Sequence, residues 1–259
     1  MAVTLAAPQA ATAATLKVCY DQWPPMTMFP TADDPRRGVV IDMVTDIYQQ
    51  AGYQVDLTEV PYARGMEMVA SGQCDMLPEK EYSPLVERGF VYANVPTFRY
   101  PTAFVVRHGD SWRFDGVGSL SERRVATGIG WNYSSINLDY QAYLDDPHNA
   151  ENVELMTGDN DVVPRIFKMI VGGRVDSYAD NALVLEYIRA EMGLEKELDI
   201  VTPDLGGLLV EMPIFSSQIP QAERDRLIAI WDQGRKAISG DTQGTYLARY
   251  GVSQSLINR

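Results

Sequence analysis

Histidine and cysteine are nearly missing from these 259 residues, which hold two of each. Two histidines and two distant cysteines offer too few ligands for a metal centre of ordinary spacing, so no metal is expected. Positive charge is also short: 22 Lys and Arg stand against 35 Asp and Glu, a formal net charge of −13. Such a surface repels phosphate backbones and anionic headgroups, which sets nucleic acid and the membrane surface aside as partners. No apolar run is long enough to span a bilayer. The longest, Ala2 to Ala14, is broken by Thr4, Pro8, Gln9 and Thr12. It contains Ala11-Thr12-Ala13, the small-residue pattern that signal peptidase cuts, and residues 1–13 read as a signal-peptide remnant or a disordered leader outside the fold. Catalytic motifs are missing too: there is no Gly-x-Ser-x-Gly, no phosphate-binding Gly-x-x-x-x-Gly-Lys and no His-Glu-x-x-His. Gly128-Ile129-Gly130 begins like a dinucleotide fingerprint, but Tyr133 stands where the third glycine would fall. Neither a cofactor nor catalytic residues are expected, and the chain reads as a non-enzyme.

What is present is an ordinary globular composition, 46% hydrophobic and 22% charged, long enough for about two compact units of roughly 100 to 150 residues each. Hydrophobic spacing switches repeatedly between periods of 2 and 3.6. Leu16-Lys17-Val18-Cys19-Tyr20 reads as a strand, Val40 to Tyr48 as a helix stopped by Gly52, and Tyr53 to Val60 as a strand. Tyr62 to Ala70 then reads as a helix closed by Gly72, and Cys74 to Leu77 as a third strand. This βαβαβ order recurs from Arg124 to Tyr178, with a helix expected from the Gly130 loop through Leu144. Each copy carries Gly-x-x-Asp opening its last strand, as Gly72-Gln73-Cys74-Asp75 and Gly173-Arg174-Val175-Asp176. Two extended crossings, Tyr100 to Arg107 and Leu208 to Val210, would join the copies as a hinge. The expected fold is α/β, two doubly wound lobes joined by a two-stranded hinge: residues 14–104 and 208–259 in lobe one, 105–207 in lobe two. The amphipathic tail Gln221 to Ser239 is expected to pack on lobe one.

Candidate site residues lie where open α/β sheets bind ligands, at the C-terminal ends of strands. Tyr20 and Trp23 follow the first strand and stack either on a ligand or on the core. Glu79, with Lys80, follows the third strand and either accepts from an amine or belongs to a solvated charge run with Glu81. Arg88 offers a fork for a carboxylate or a surface ion pair with Glu87. Trp131, Asn132 and Tyr133 occupy a strand-to-helix turn whose backbone N–H groups suit an anion. Asp180 and Asn181 close the last strand of the second copy and receive an ammonium or cap the next helix. Together these describe a cleft for a small zwitterion or an amine-bearing acid. Cys19 and Cys74 are either bridged, closing a loop worth on the order of 4 kcal/mol in the chain-entropy model, or two buried thiols.

Trp23-Pro24-Pro25, Gly38-Val39-Val40-Ile41-Asp42, Ser71-Gly72-Gln73-Cys74-Asp75, Glu87-Arg88, Gly173-Arg174-Val175-Asp176 and the ending Gly244-Thr245-Tyr246 with Arg249-Tyr250-Gly251 stand in an order that resembles type II periplasmic solute-binding proteins of family 3, the amino-acid binders of ABC importers. The resemblance runs from Leu16 to Gly251. It implies an exported, periplasmic monomer that closes on a small polar ligand and hands it to an ABC permease. Trp23 would be the aromatic lid, Arg88 the carboxylate binder, Trp131 to Tyr133 the lobe-two backbone donors and Asp180 the ammonium acceptor. Three positions depart from the family pattern. Leu85 replaces the usual Thr three residues before the arginine, Pro78-Glu79-Lys80-Glu81 replaces a small-residue loop, and Asp180 comes four residues after Asp176 rather than five. Glu79 would favour a more cationic ligand, or a different ligand altogether, which leaves the ligand's identity open. The paired cysteines also resemble a side branch of the fold, the periplasmic accessory proteins of quinoprotein alcohol dehydrogenases. A third branch, the cyclohexadienyl dehydratases, would have only Glu79, Glu87 or Asp180 as its acid.

Overall fold

The computed structural model describes residues 13–83, 89–158, 161–201 and 205–252. The expected leader, apart from Ala13, and Arg88 lie outside the described residues.

The first half begins with strand β1 (Thr15–Tyr20), helix α1 (Val39–Gln50), strand β2 (Gln54–Glu59), helix α2 (Tyr62–Ala70) and strand β3 (Met76–Glu81). β1 pairs in parallel with both β2 and β3, giving the order β2-β1-β3. The second half repeats the pattern with β6 (Val125–Gly128), α3 (Leu138–Asp145), β7 (Val153–Met156), α4 (Val162–Val171) and β8 (Ser177–Asn181). There β6 pairs in parallel with β7 and β8. Parallel neighbours require a crossover, and α1, α2, α3 and α4 supply it.

Between the halves, β4 (Phe90–Tyr92) is followed by the long β5 (Phe98–Arg107). After β8 come α5 (Ala182–Glu191), β9 (Leu198–Val201) and β10 (Leu208–Ser216). β5 belongs to both halves. Phe98 to Pro101 pair with β10, and Thr102 to Arg107 pair with β8 and β9, all antiparallel. β10 turns back along β3, with Glu211 opposite Glu81 and Met212 opposite Lys80. The chain ends in α6 (Gln221–Ala237) and α7 (Gly240–Ala248). α6 packs on α1: Tyr48 donates to the Leu227 carbonyl at 2.9 Å, and Tyr53 donates to Glu223 at 2.6 Å. Its fully buried Trp231 satisfies its indole N–H on the Val95 carbonyl at 2.9 Å.

Two expected bounds move, with consequences for the site. β3 starts at Met76 and runs on to Glu81 rather than stopping at Leu77, because β10 pairs along it. Glu79 and Lys80 are therefore strand residues and buried, not a solvated charge run. The helix expected from the Gly130 loop begins only at Leu138, capped by Asn137, whose side chain accepts from the Tyr140 N–H at 2.9 Å. The intervening residues form an irregular loop.

Cys19 and Cys74 form a disulfide with Cα atoms 5.9 Å apart. It joins the end of β1 to the residues just before β3. The bridge settles the two open readings of these cysteines.

Candidate functional site

The connected feature is a chain of aromatic and acidic side chains running from the first half into the second. In β3, Glu79 accepts from the Tyr100 hydroxyl at 2.7 Å, and its second carboxylate oxygen is buried without a hydrogen-bond partner. Tyr100, on β5, stacks on Phe98 and meets the Trp23 ring edge-on at 5.6 Å. The Trp23 indole lies close enough to Asp180 on β8 to favour the charged form of its carboxyl. Asp180 also accepts from the Tyr178 hydroxyl and from the Asn181 N–H, the latter at 2.6 Å. Tyr178 in turn lies 5.9 Å from the Trp131 ring, tilted by 40°. Trp131 can lie there because Gly128 has no side chain: a Cβ at Gly128 would come within 2.4 Å of the indole.

Acids dominate the electrostatics. Burial pushes Glu79 up to about 8, with Asp21 adding repulsion, and pushes Asp21 and Asp180 up to about 6. Glu211, beside Glu79, Glu81 and Asp21, is held well above the usual carboxylate range, again chiefly by burial. Lys80 from the same strand donates to the Glu81 carbonyl at 3.3 Å and lies 5.8 and 5.9 Å from the ring centres of Phe90 and Tyr92. Glu81 reaches the second half, where its carboxylate accepts from the Ser135 N–H at 3.2 Å and hydroxyl at 2.8 Å. Among the described residues no group of three or more His, Cys, Asp or Glu is arranged to hold a metal ion.

The expected site residues divide accordingly. Trp23, Glu79, Trp131 and Asp180 come together in this chain. Tyr20 does not join it. It is fully buried, its hydroxyl accepts from Arg37 at 2.7 Å and donates to Glu59 at 3.2 Å, and its ring meets Phe29 edge-on. It plugs the core because its register partner on β2, Glu59, shares its face of the sheet and takes its hydroxyl. The Trp131 and Tyr133 N–H groups are not open donors, being used on the Gly128 carbonyl at 3.2 Å and the Gln141 side chain at 2.6 Å. Asn132 is exposed and folds its side chain back to accept from the Ser134 N–H. Asn181, not Asp180, caps α5, accepting from the Leu183 N–H at 2.9 Å.

Sequence reasoning missed Asp21, Tyr178, Ser135 and Glu211 and saw Tyr100 only as part of a crossing. Tyr178 had a usable signal, since it lies two residues before Asp180 and so on the same face of the strand. Glu211 had none, because only the pairing of β10 with β3 brings it to Glu79.

No curated protein sequence matches the chain. Its fold is similar to that of a mutant of ArgBP from T. maritima, with TM-score 0.70, 13% identity and coverage of 92% of this chain and 95% of the other. It is similar to a histidine kinase sensor domain with similarity to periplasmic binding proteins, with TM-score 0.71, 18% identity and coverage of 92% and 97%. It is also similar to the GluR0 ligand-binding core from Nostoc punctiforme in complex with L-glutamate, with TM-score 0.67, 18% identity and coverage of 91% and 98%. Two doubly wound α/β halves joined by paired strands are the type II periplasmic-binding-protein fold. With residues 16–250 also matching the family model, the chain belongs to the bacterial extracellular solute-binding proteins, family 3.

Proposed function

We propose that the chain is an exported solute-binding protein that captures a small, amine-bearing polar ligand between its halves and delivers it to an ABC-type permease without chemical change. Residues 14–104 and 208–259 act as one lobe and 105–207 as the other, hinged where β5 and β10 pass between them. The observation that carries the reading is the Glu79 carboxylate oxygen, buried and unpaired, joined through Tyr100 and Trp23 to Asp180 of the other half. A buried carboxyl oxygen without a partner costs on the order of 1–3 kcal/mol, which an incoming ammonium or guanidinium would return as Glu79 releases to solvent the proton that burial holds on it. Contacts to both lobes supply the differential affinity that closure requires. Export is supported by the disulfide, a bond kept in oxidising compartments, and no helix among the described residues is long and apolar enough to cross a membrane.

Mass spectrometry of ligand released from freshly purified protein, followed by thermal-shift titration, tests the reading. A true ligand at a hundred times its Kd adds about 2.7 kcal/mol, roughly 5–11 °C at this size. An empty protein that no amine, amino acid or organic acid stabilises would sink it. The cysteine bridge favours a second reading, an accessory partner of a quinoprotein alcohol dehydrogenase, for which co-purification of a dehydrogenase subunit is the deciding result.

A further inference from the structure

The loop from Gly128 to Asn137 is where the second half would greet an anionic ligand group, and from Tyr133 onward its backbone donors are spoken for. The Tyr133 N–H is used by Gln141, that of Ser134 by Asn132, and those of Ile136 and Asn137 by the Tyr133 carbonyl at 2.9 and 2.8 Å. Ser135 alone of these five turns its N–H, together with its hydroxyl, toward the first half, and there it holds the Glu81 carboxylate. Glu81 is no loose surface chain: it ends β3, in register with Glu211 of β10. A second carboxylate arriving here would displace Glu81 and meet Glu79, Glu211 and Asp21. A cation arriving here finds the bare oxygen of Glu79, whose side chain belongs to a residue only 5% exposed. It also finds Asp180, whose two oxygens each accept one donor, the Tyr178 hydroxyl and the Asn181 N–H, and keep room for more.

We propose that Glu81 sets the ligand class of this cleft: by filling the Ser135 donors with the protein's own carboxylate, it makes the site one for organic cations that lack a carboxylate. The proposal rests on the solute-binding reading of the cleft and narrows it. The same contact draws the halves together before any ligand arrives, so the ligand is selected by the cationic groups it adds rather than by bridging the lobes through an acid group.

Matched pairs that differ only in a carboxylate test it: agmatine against arginine, cadaverine against lysine, histamine against histidine. Calorimetric titration of the parent is expected to give at least tenfold tighter binding to one or more decarboxylated members than to their parent amino acids. Glu81→Ala is expected to reduce that preference at least tenfold, and Ser135→Ala, a smaller change that keeps the backbone donor, to reduce it less. Without ligand, X-ray scattering of Glu81→Ala should show a larger radius of gyration than the parent, with the same circular dichroism spectrum. Tighter binding of the amino acids by the parent, or a carboxylate-bearing ligand released from the purified protein, would overturn the role of Glu81 while leaving solute binding intact. An unchanged preference and radius in Glu81→Ala would do the same. Absence of binding to every pair, with no released ligand, would overturn both.

Discussion

The two βαβαβ halves solve one local problem identically and then diverge. Asp75 and Asp176 end the two Gly-x-x-Asp motifs, and their preceding glycines, Gly72 and Gly173, both take positive φ, at 76° and 69°. Each aspartate accepts from a backbone N–H of the neighbouring strand at 2.9 Å, Asp75 from Lys17 and Asp176 from Arg124. Four residues after each aspartate comes a buried acid, Glu79 and Asp180, and each accepts from a tyrosine hydroxyl, Tyr100 and Tyr178. The repeat therefore aims one carboxylate from each half at the same region. The difference lies in their company. Asp180 has a donor on each oxygen, whereas Glu79 has one donor and leaves an oxygen bare. The first half also carries the Cys19–Cys74 bridge between strands that, in the second half, present the buried Ala126 and Val175 beside the corresponding aspartate pairing. The half with the unsatisfied acid is the stapled half, which matches the expectation that a strained polar site needs a rigid support.

The largest effect should come from the staple. Cys74→Ser is expected to cost about 2–5 kcal/mol, seen as a lower denaturation midpoint in urea under oxidising conditions, and reduction of the parent should reproduce it. Equal midpoints before and after reduction would erase this asymmetry between the halves. Next, Asp180→Asn should destabilise by about 1–3 kcal/mol, since one amide oxygen cannot accept from the two donors that the carboxylate takes on its separate oxygens.

Glu79→Gln should act in the opposite direction, and its effect depends on pH. Glu79, Asp21 and Asp180 hold protons in the folded chain that the unfolded chain has already released, so the parent should lose stability as pH rises from about 4.5 to about 8. Asp34, lowered to about 2 by its hydrogen bonds from Arg36, titrates with the reverse sign. So does Asp176, held low against its burial by the Arg124 N–H and Arg107. Their contributions disappear as pH falls below about 4. Melting temperature should therefore peak near pH 4, where the two opposing slopes meet. In Glu79→Gln the decline toward pH 8 should flatten, with a gain of about 2–4 °C for each kcal/mol recovered. A parallel decline in the variant would show that Glu79 is not the group responsible.

The smallest effect compares the paired aspartates. Asp176→Asn should cost about 1 kcal/mol more than Asp75→Asn, because Asp176 also pairs with Arg107 at 3.0 Å and Arg124 at 3.8 Å. Equal losses in urea melts would make the backbone contact the whole contribution of both.

Much of the frame was legible because burial imposes a period on local sequence. α2 occupies the span its apolar spacing predicts, and the Gly-x-x-Asp pairs mark the last strand of each repeat. Glu79 was legible as a candidate but misplaced, since Pro78-Glu79-Lys80-Glu81 has the composition of a loop. It becomes strand only because β10 supplies the ladder. The Trp131 loop was found at the right place with the wrong donors. Whether a backbone N–H is open depends on Gln141 and Asn132 folding back onto it, and no residue pattern states that.

The sequence by itself determined two α/β repeats, an acidic chain with few groups for chemistry, and the two strand ends that carry Glu79 and Asp180, because these follow from periods of 2 and 3.6 and from which residue types are present. Only the tertiary structure decided which acids are satisfied. Hydrogen-bond partners such as Tyr100 for Glu79 and Ser135 for Glu81 lie 21 and 54 residues away along the chain. Burial removes the water that would otherwise have satisfied each of these carboxylates equally.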